Sequence, residues 1–273
     1  MRWASYAVLL VACAPGKVLA WNQATTETGQ PLHWETECVY YTVASSGSDD
    51  IADFETLREA VSRGFTAWNV DCSALTIMDG GVSDCKKVGF SSNRPSTNLV
   101  IWLEDEWPYP SEVGDPFAVT SVYYSPETGE ILDADVEFNG VDFVWNTEGR
   151  ADQADVWNTM IHEAGHILGL DHSEFAEATM YRFASPGETD KRDLHDDDIA
   201  GICAIYPLGA DLTACPGQPG PRALCRGDGS GCSCALPGHH GAAAEGPIGI
   251  LALVALALAL SSGRRGSHPR SGR

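Results

Sequence analysis

His162-Glu163-Ala164-Gly165-His166-Ile167-Leu168-Gly169-Leu170-Asp171-His172-Ser173 tells more than any other part of this 273-residue chain. On a helix, His162 and His166 stand one i,i+4 step apart, about 6 Å along the axis and on one face. Their imidazoles can therefore reach one tetrahedral ion. Glu163 points beside that face, close enough to hold a water on the ion without ligating it. Gly169 is where the helix is expected to stop, because glycine accepts the left-handed conformation beyond a helix C-terminus. The chain can then turn and bring back His172 as a third ligand. Three protein ligands leave a fourth position open, which is the pattern of catalytic rather than structural zinc.

A second element lies downstream in Ala178-Thr179-Met180-Tyr181, with Met180 eight positions after His172. Together these motifs resemble the metzincin zinc proteases, and Ser173 after the third histidine makes the matrixin branch the nearest likeness. The resemblance implies an α+β metzincin domain: a mixed, mostly parallel twisted sheet, a long first helix, a zinc-binding helix, a Met-turn at Met180 and a C-terminal helix. It also implies one catalytic zinc held by His162, His166 and His172, with Glu163 as general base in the hydrolysis of internal peptide bonds. A surface binding module that no longer turns over is the rival class, but such relatives usually lose the glutamate or a ligand. A maturation protease with one narrow task is a further alternative. Specificity then resides in the loop Arg182 to Arg192 and in the strand near Ala118 to Tyr124.

Working outward, Cys38 to Val43 reads as a first strand, rich in β-branched and aromatic residues. Phe54, Leu57, Val61, Phe65 and Trp68 recur at helical spacing and predict an amphipathic helix from about Asp53 to Asn69. Strands are expected at Leu75 to Met78, Asn98 to Leu103, Val119 to Tyr124 and Ile131 to Phe138. The last two flank the turn cluster Ser125 to Glu130, read as a hairpin connection. Asp155 to Leu168 is the zinc helix, and Leu194 to Tyr206 closes the domain with an acidic first turn that suits the helix dipole.

Both ends of the chain differ in composition. Residues 1–20 read as a secretory signal peptide, although Leu10-Val11-Ala12-Cys13 also resembles a lipobox that would lipidate Cys13. Residues 21–36 form a short segment with nothing long enough to fold alone and no cysteine to act as a latency switch of the matrixin kind. The catalytic domain is assigned to residues 37–208 and a Pro/Gly/Cys-rich linker to 209–246. Residues 247–273 hold an apolar run, Ile248 to Leu260, ahead of Arg264, Arg265, Arg270 and Arg273. The run is short for a membrane span, which needs about 20 residues. It resembles a MYXO-CTERM tail that a sorting protease handles, with a glycolipid-anchor signal or a plain membrane anchor as rivals. Each of these readings puts an expected monomer outside the cytoplasm, at the cell surface or envelope, with protein or peptide substrates.

A formal net charge of −21 argues against nucleic acid as a partner, because like charges repel. Nine cysteines in an exported chain argue for disulfides. Among Cys38, Cys72, Cys85 and Cys203 three pairings are open, and Cys72 with Cys85, which closes the shortest loop, is the bridge expected. The best-known matrixins also carry a structural zinc held by three histidines and an aspartate ahead of the zinc helix. Here no histidine lies between His33 and His162, so one zinc per chain is expected. Asp133, Asp135 and Glu137 alternate along one strand and so share a face, offering a candidate calcium site; a solvated sheet face is the plainer reading.

Overall fold

In the computed structural model, residues 19–90, 92, 96–109, 115–215 and 248–257 are described. All but the last two residues of the signal-peptide reading, the lipobox, most of the linker and the basic tail lie outside them. In chain order the elements begin with β1 (Asn22–Gln23), β2 (Cys38–Ala44), α1 (Phe54–Thr66), β3 (Thr76–Ser83), β4 (Leu99–Leu103) and β5 (Ala118–Tyr124). They continue with β6 (Ile131–Asn139), β7 (Trp145–Asn146), β8 (Ala154–Asp155), α2 (Val156–Ile167), β9 (Leu170–Asp171) and β10 (Phe183–Ala184). A 3₁₀ turn (Asp190–Arg192), α3 (Asp196–Ile205) and β11 (Gly249–Ala257) complete the list.

The main sheet runs β10-β11-β5-β6-β4-β2-β3. β2, β3, β4 and β6 are mutually parallel, while β5 runs antiparallel to β6. A reversal is forced between β5 and β6 because only a short turn joins them. The amide of Ser125 donates to Glu130 at 2.9 Å and that of Gly129 to Ser125 at 2.8 Å, and Gly129 takes φ +80°. The predicted hairpin is present.

α1 forms because Asp53 caps it, accepting from the Glu55 amide and the Thr56 hydroxyl, a device that satisfies donors left free in the first turn. Its buried stripe is Leu57, Ala60, Val61, Gly64 and Phe65, with the Phe65 ring stacked 3.8 Å from that of Tyr41 on β2. Gly64 is the crossing point with α2: a Cβ there would stand 2.7 Å from Met160 Cβ. Past the helix, Trp68 Nε1 donates to the Ile161 carbonyl at 2.8 Å. The zinc helix of the sequence reading is thus fixed against α1 by packing and by one buried hydrogen bond.

The segment before residue 37 is built into the domain. β1 pairs with β9, and buried Trp34 donates through its indole to the Ile167 carbonyl at 2.8 Å. Thr213 pairs with Glu35 and Glu37 by backbone bonds of 2.8 and 2.9 Å, so the first residues after 208 are tied to the same edge.

The expected Cys72–Cys85 bridge is corrected: Cys72 is bonded to Cys203 and Cys38 to Cys215, while Cys85 is disulfide-bonded but not to Cys72. The reason is geometric. β3 lies between Cys72 and Cys85, and eight extended residues separate their ends by about 26 Å. Cys203 comes near Cys72 because the end of α3 returns there, with Ala74 donating to the Tyr206 carbonyl at 2.8 Å.

Candidate active site

α2 presents His162 and His166 one turn apart, and Asp155 caps it by accepting from the Asn158 amide at 2.9 Å. Arg192 grips the same carboxylate through Nε at 3.0 Å and Nη2 at 2.5 Å, which ties the end of the 182–192 loop to the start of the helix. The helix ends where predicted. Gly169 takes φ +90°, and a Cβ on it would come 2.5 Å from the Leu32 carbonyl. After that turn β9 is held by β1, and the Asn22 side chain donates to the His172 carbonyl at 2.9 Å.

The three predicted ligands converge. Ring centroids lie 4.8 Å apart for His162 and His166, 5.4 Å for His162 and His172, and 4.8 Å for His166 and His172. One ligand atom from each lies within 4.8 Å of the others, the one such His/Cys/Asp/Glu grouping among the described residues. His162 Nδ1 donates to the Thr179 carbonyl at 2.6 Å and His166 Nδ1 to the Leu170 carbonyl at 2.8 Å. Those bonds put the ring proton on Nδ1 and leave the Nε2 lone pair free. All three Nε2 atoms are buried without a protein partner.

Electrostatics agrees with that assignment. Burial drives His162 well below its ordinary pKa, with His166 and His172 adding to the effect. Burial lowers His166 to about 4 and, aided by His166 and Arg182, lowers His172 to about 2. Three imidazoles held neutral, with unpaired nitrogens aimed at a common point, fit a tetrahedral nitrogen-ligated zinc.

Glu163 is fully buried. Its Oε2 accepts a 2.6 Å bond from the Thr120 hydroxyl on β5, and Oε1 has no protein partner. Burial pushes its carboxyl up to about 8, against the opposing pull of the Thr120 bond. A nearby divalent cation acts in the same direction as Thr120, favouring the carboxylate.

Met180 lies buried beneath α2. A Cβ on Gly165 would stand 2.2 Å from Met180 Sδ and 2.8 Å from Trp68 Cζ2, so the glycine between the two ligand histidines admits both side chains. Asp198 on α3 holds this turn, accepting from the amides of Thr179 at 2.8 Å and Met180 at 3.0 Å. Asp197 accepts from Ser173 Oγ at 2.6 Å and from the Ala20 amide at 2.6 Å. The acidic start of α3 therefore braces the loops that carry the site, a use that dipole reasoning alone does not show. A narrow pocket opens beside His162, lined by Phe117, Asn158, Tyr181, Ala184 and Lys191. Lys191 is fixed there by the Phe183 carbonyl and Glu188.

Asp133, Asp135 and Glu137 do share one side of β6, but that side is buried. Asp133 accepts from Ser96 Oγ and the Thr97 and Asn98 amides. Asp135 accepts from the amides of Leu99 at 2.8 Å and Gly89 at 2.7 Å, and Glu137 accepts from the Tyr109 hydroxyl. In this structure they satisfy the amides of Gly89, Thr97, Asn98 and Leu99 and the hydroxyls of Ser96 and Tyr109. Thr120 and Asp198 were missed in the sequence. A threonine in an apolar strand carries no periodic mark, and Asp198 is one of three acids in the first turn of α3 with nothing in the sequence to set it apart.

An α+β fold carrying this three-histidine centre beside a buried carboxylate defines the metzincin class. Within it the chain belongs to the matrixin family, whose model matches residues 33–207. Metalloendoproteinase 1-MMP of Arabidopsis thaliana is 28% identical over 182 residues, which is 65% of this chain and 45% of that protein. Matrix metalloproteinase-16 of Homo sapiens is 29% identical over 184 residues, 66% of this chain and 28% of that protein. Metalloendoproteinase 4-MMP of Arabidopsis thaliana is 33% identical over 104 residues, 37% of this chain and 30% of that protein. The chain spans less than half the length of these relatives.

Proposed function

We propose that this chain is an exported zinc-dependent metalloendopeptidase in which His162, His166 and His172 hold the ion through Nε2 and Glu163 is the general base. The observation that carries this reading is the pairing of a carboxylate anchored at one oxygen and free at the other with three unpartnered, neutral imidazole nitrogens. Zinc held there supplies Lewis-acid chemistry, acidifying water and polarising the scissile carbonyl. Glu163 Oε1 takes the proton of the attacking water and delivers it to the leaving amine nitrogen. Thr120 keeps Oε2 engaged so that Oε1 stays turned toward the reacting water. The Thr179 and Leu170 carbonyls hold the His162 and His166 rings in the ligating tautomer. Met180 supports the ligand helix from below as a Met-turn residue, and the pocket beside His162 receives the side chain that follows the scissile bond.

The rest of the organisation is proposed as the composition suggests. Residues 1–20 direct export, 37–208 form the catalytic unit, 209–246 link it, and 247–273 act as a sorting or anchoring tail at the cell surface. Among the described residues no helix is long and apolar enough to cross a membrane.

Glu163→Gln tests the mechanism. It keeps the side chain's shape and removes the base, so turnover of a quenched fluorescent peptide is expected to fall about 10² to 10⁴-fold while the protein retains zinc through dialysis. Near-normal turnover by this variant would exclude Glu163 as the base.

A further inference from the structure

β11 lies between the two elements that border the site. It runs antiparallel to β5 from Gly249 opposite Tyr124 to Ala255 opposite Ala118. It then runs parallel to β10, with Leu256 opposite Phe183 and Ala257 opposite Ala184. Leu253 stands opposite Thr120, the residue whose hydroxyl anchors Glu163. Ala184 and Phe117, the residue that leads into β5, both line the pocket beside His162. Gly249 fits this docking closely, since a Cβ there would stand 2.3 Å from the Tyr124 ring.

Without β11 the outer edge of β5 would present a row of backbone N–H and C=O groups beside the catalytic carboxylate. Such an edge takes up an extended peptide by strand addition, with main-chain bonds supplying affinity whatever the sequence. The segment that fills it, Gly-Ile-Leu-Ala-Leu-Val-Ala-Leu-Ala, carries no charge and no proline, the features by which exposed strands are usually kept from pairing.

We propose that Gly249–Ala257 is an inhibitory strand in cis: it fills the slot between β5 and β10 and keeps the full chain latent until it is displaced or removed. This rests on the peptidase reading above. It assigns the C-terminal segment a latency role. Because strand and slot belong to one chain, an external peptide competes against a local concentration on the order of millimolar. A slot closed nine-tenths of the time lowers apparent affinity about tenfold.

The test uses the full-length chain, native and Leu253→Pro, both loaded with zinc. Leu253 is paired with Thr120 on β5; proline there lacks a backbone N–H and fixes φ at about −65°, against the roughly −140° of an antiparallel strand. Two quantities are measured: kcat/KM for a fluorogenic peptide, and hydrogen exchange at the amides of residues 118–124. The expected result is a rise in kcat/KM of at least about tenfold together with faster exchange in 118–124. Unchanged exchange overturns the proposal, because the strand is then not seated on β5. Faster exchange with equal turnover also overturns it, because the strand is then seated without blocking. If neither chain cleaves peptide while exchange still differs, the peptidase reading has failed and takes the inhibitory role with it.

Discussion

Glu163 shows how much a single contact decides. Its position beside His162 and His166 is readable from helical spacing, because i and i+4 on one helix face fix where the rings go. Its orientation is not readable, because the hydroxyl that sets it comes from Thr120, 43 positions earlier and on another element. Thr120→Val removes that hydroxyl at nearly constant volume. A hydrogen bond to a charged group contributes about 1.5 to 3 kcal/mol, so kcat is expected to fall about tenfold or more, with KM little changed and zinc retained. Thr120→Ser should restore most of the rate, since it returns the donor. Equal loss in both variants would mean that β5 packing, and not the hydroxyl, is responsible.

Among elements, helices and central strands were legible because their apolar residues repeat at periods of 3.6 and 2. α1 begins one residue after its predicted start and buries Leu57, Val61 and Phe65 of the predicted stripe; β5 and β6 fall within a residue of their expected bounds, on either side of the predicted turn. What was illegible is how elements separated by long stretches of chain are joined. Loop length favoured Cys72 with Cys85, whereas Cys72 meets Cys203 across a separation of 131 residues. Peptide mapping without reduction is expected to recover the Cys72–Cys203 and Cys38–Cys215 pairs. In the chain-entropy view a loop of this size contributes roughly 5 kcal/mol, so Cys72→Ser combined with Cys203→Ser should lower stability by about that amount in a denaturant titration. Recovery of Cys72 linked to Cys85 would contradict the fold at the α3 terminus.

At the scale of the whole molecule, metal content is the sharpest check. The three histidines are the one cluster of ligand type among the described residues, and the carboxylates of β6 accept hydrogen bonds from neighbouring hydroxyls and amides. Elemental analysis of dialysed protein is expected to give one zinc per chain. Stripping it with a chelator should abolish peptide cleavage and lower the unfolding temperature, because a ligand bound only by the folded state stabilises that state. Two tightly held zinc ions per chain would contradict this count. The grouping of the three histidines was legible because they are close in sequence; β11 in the sheet was not, because nothing in an apolar run says which edge it will choose.

The Cys38–Cys215 bond gives the exposed stretch 208–214 an unusual property. The bond joins β2 to the residue where that stretch ends, and Leu208 within it is 69% exposed. A protease cutting there would produce two polypeptides that still travel as one particle in oxidising surroundings. The same nick, silent outside the cell, becomes a separation once thiols are present, so reductant and not cleavage alone decides when the C-terminal part departs.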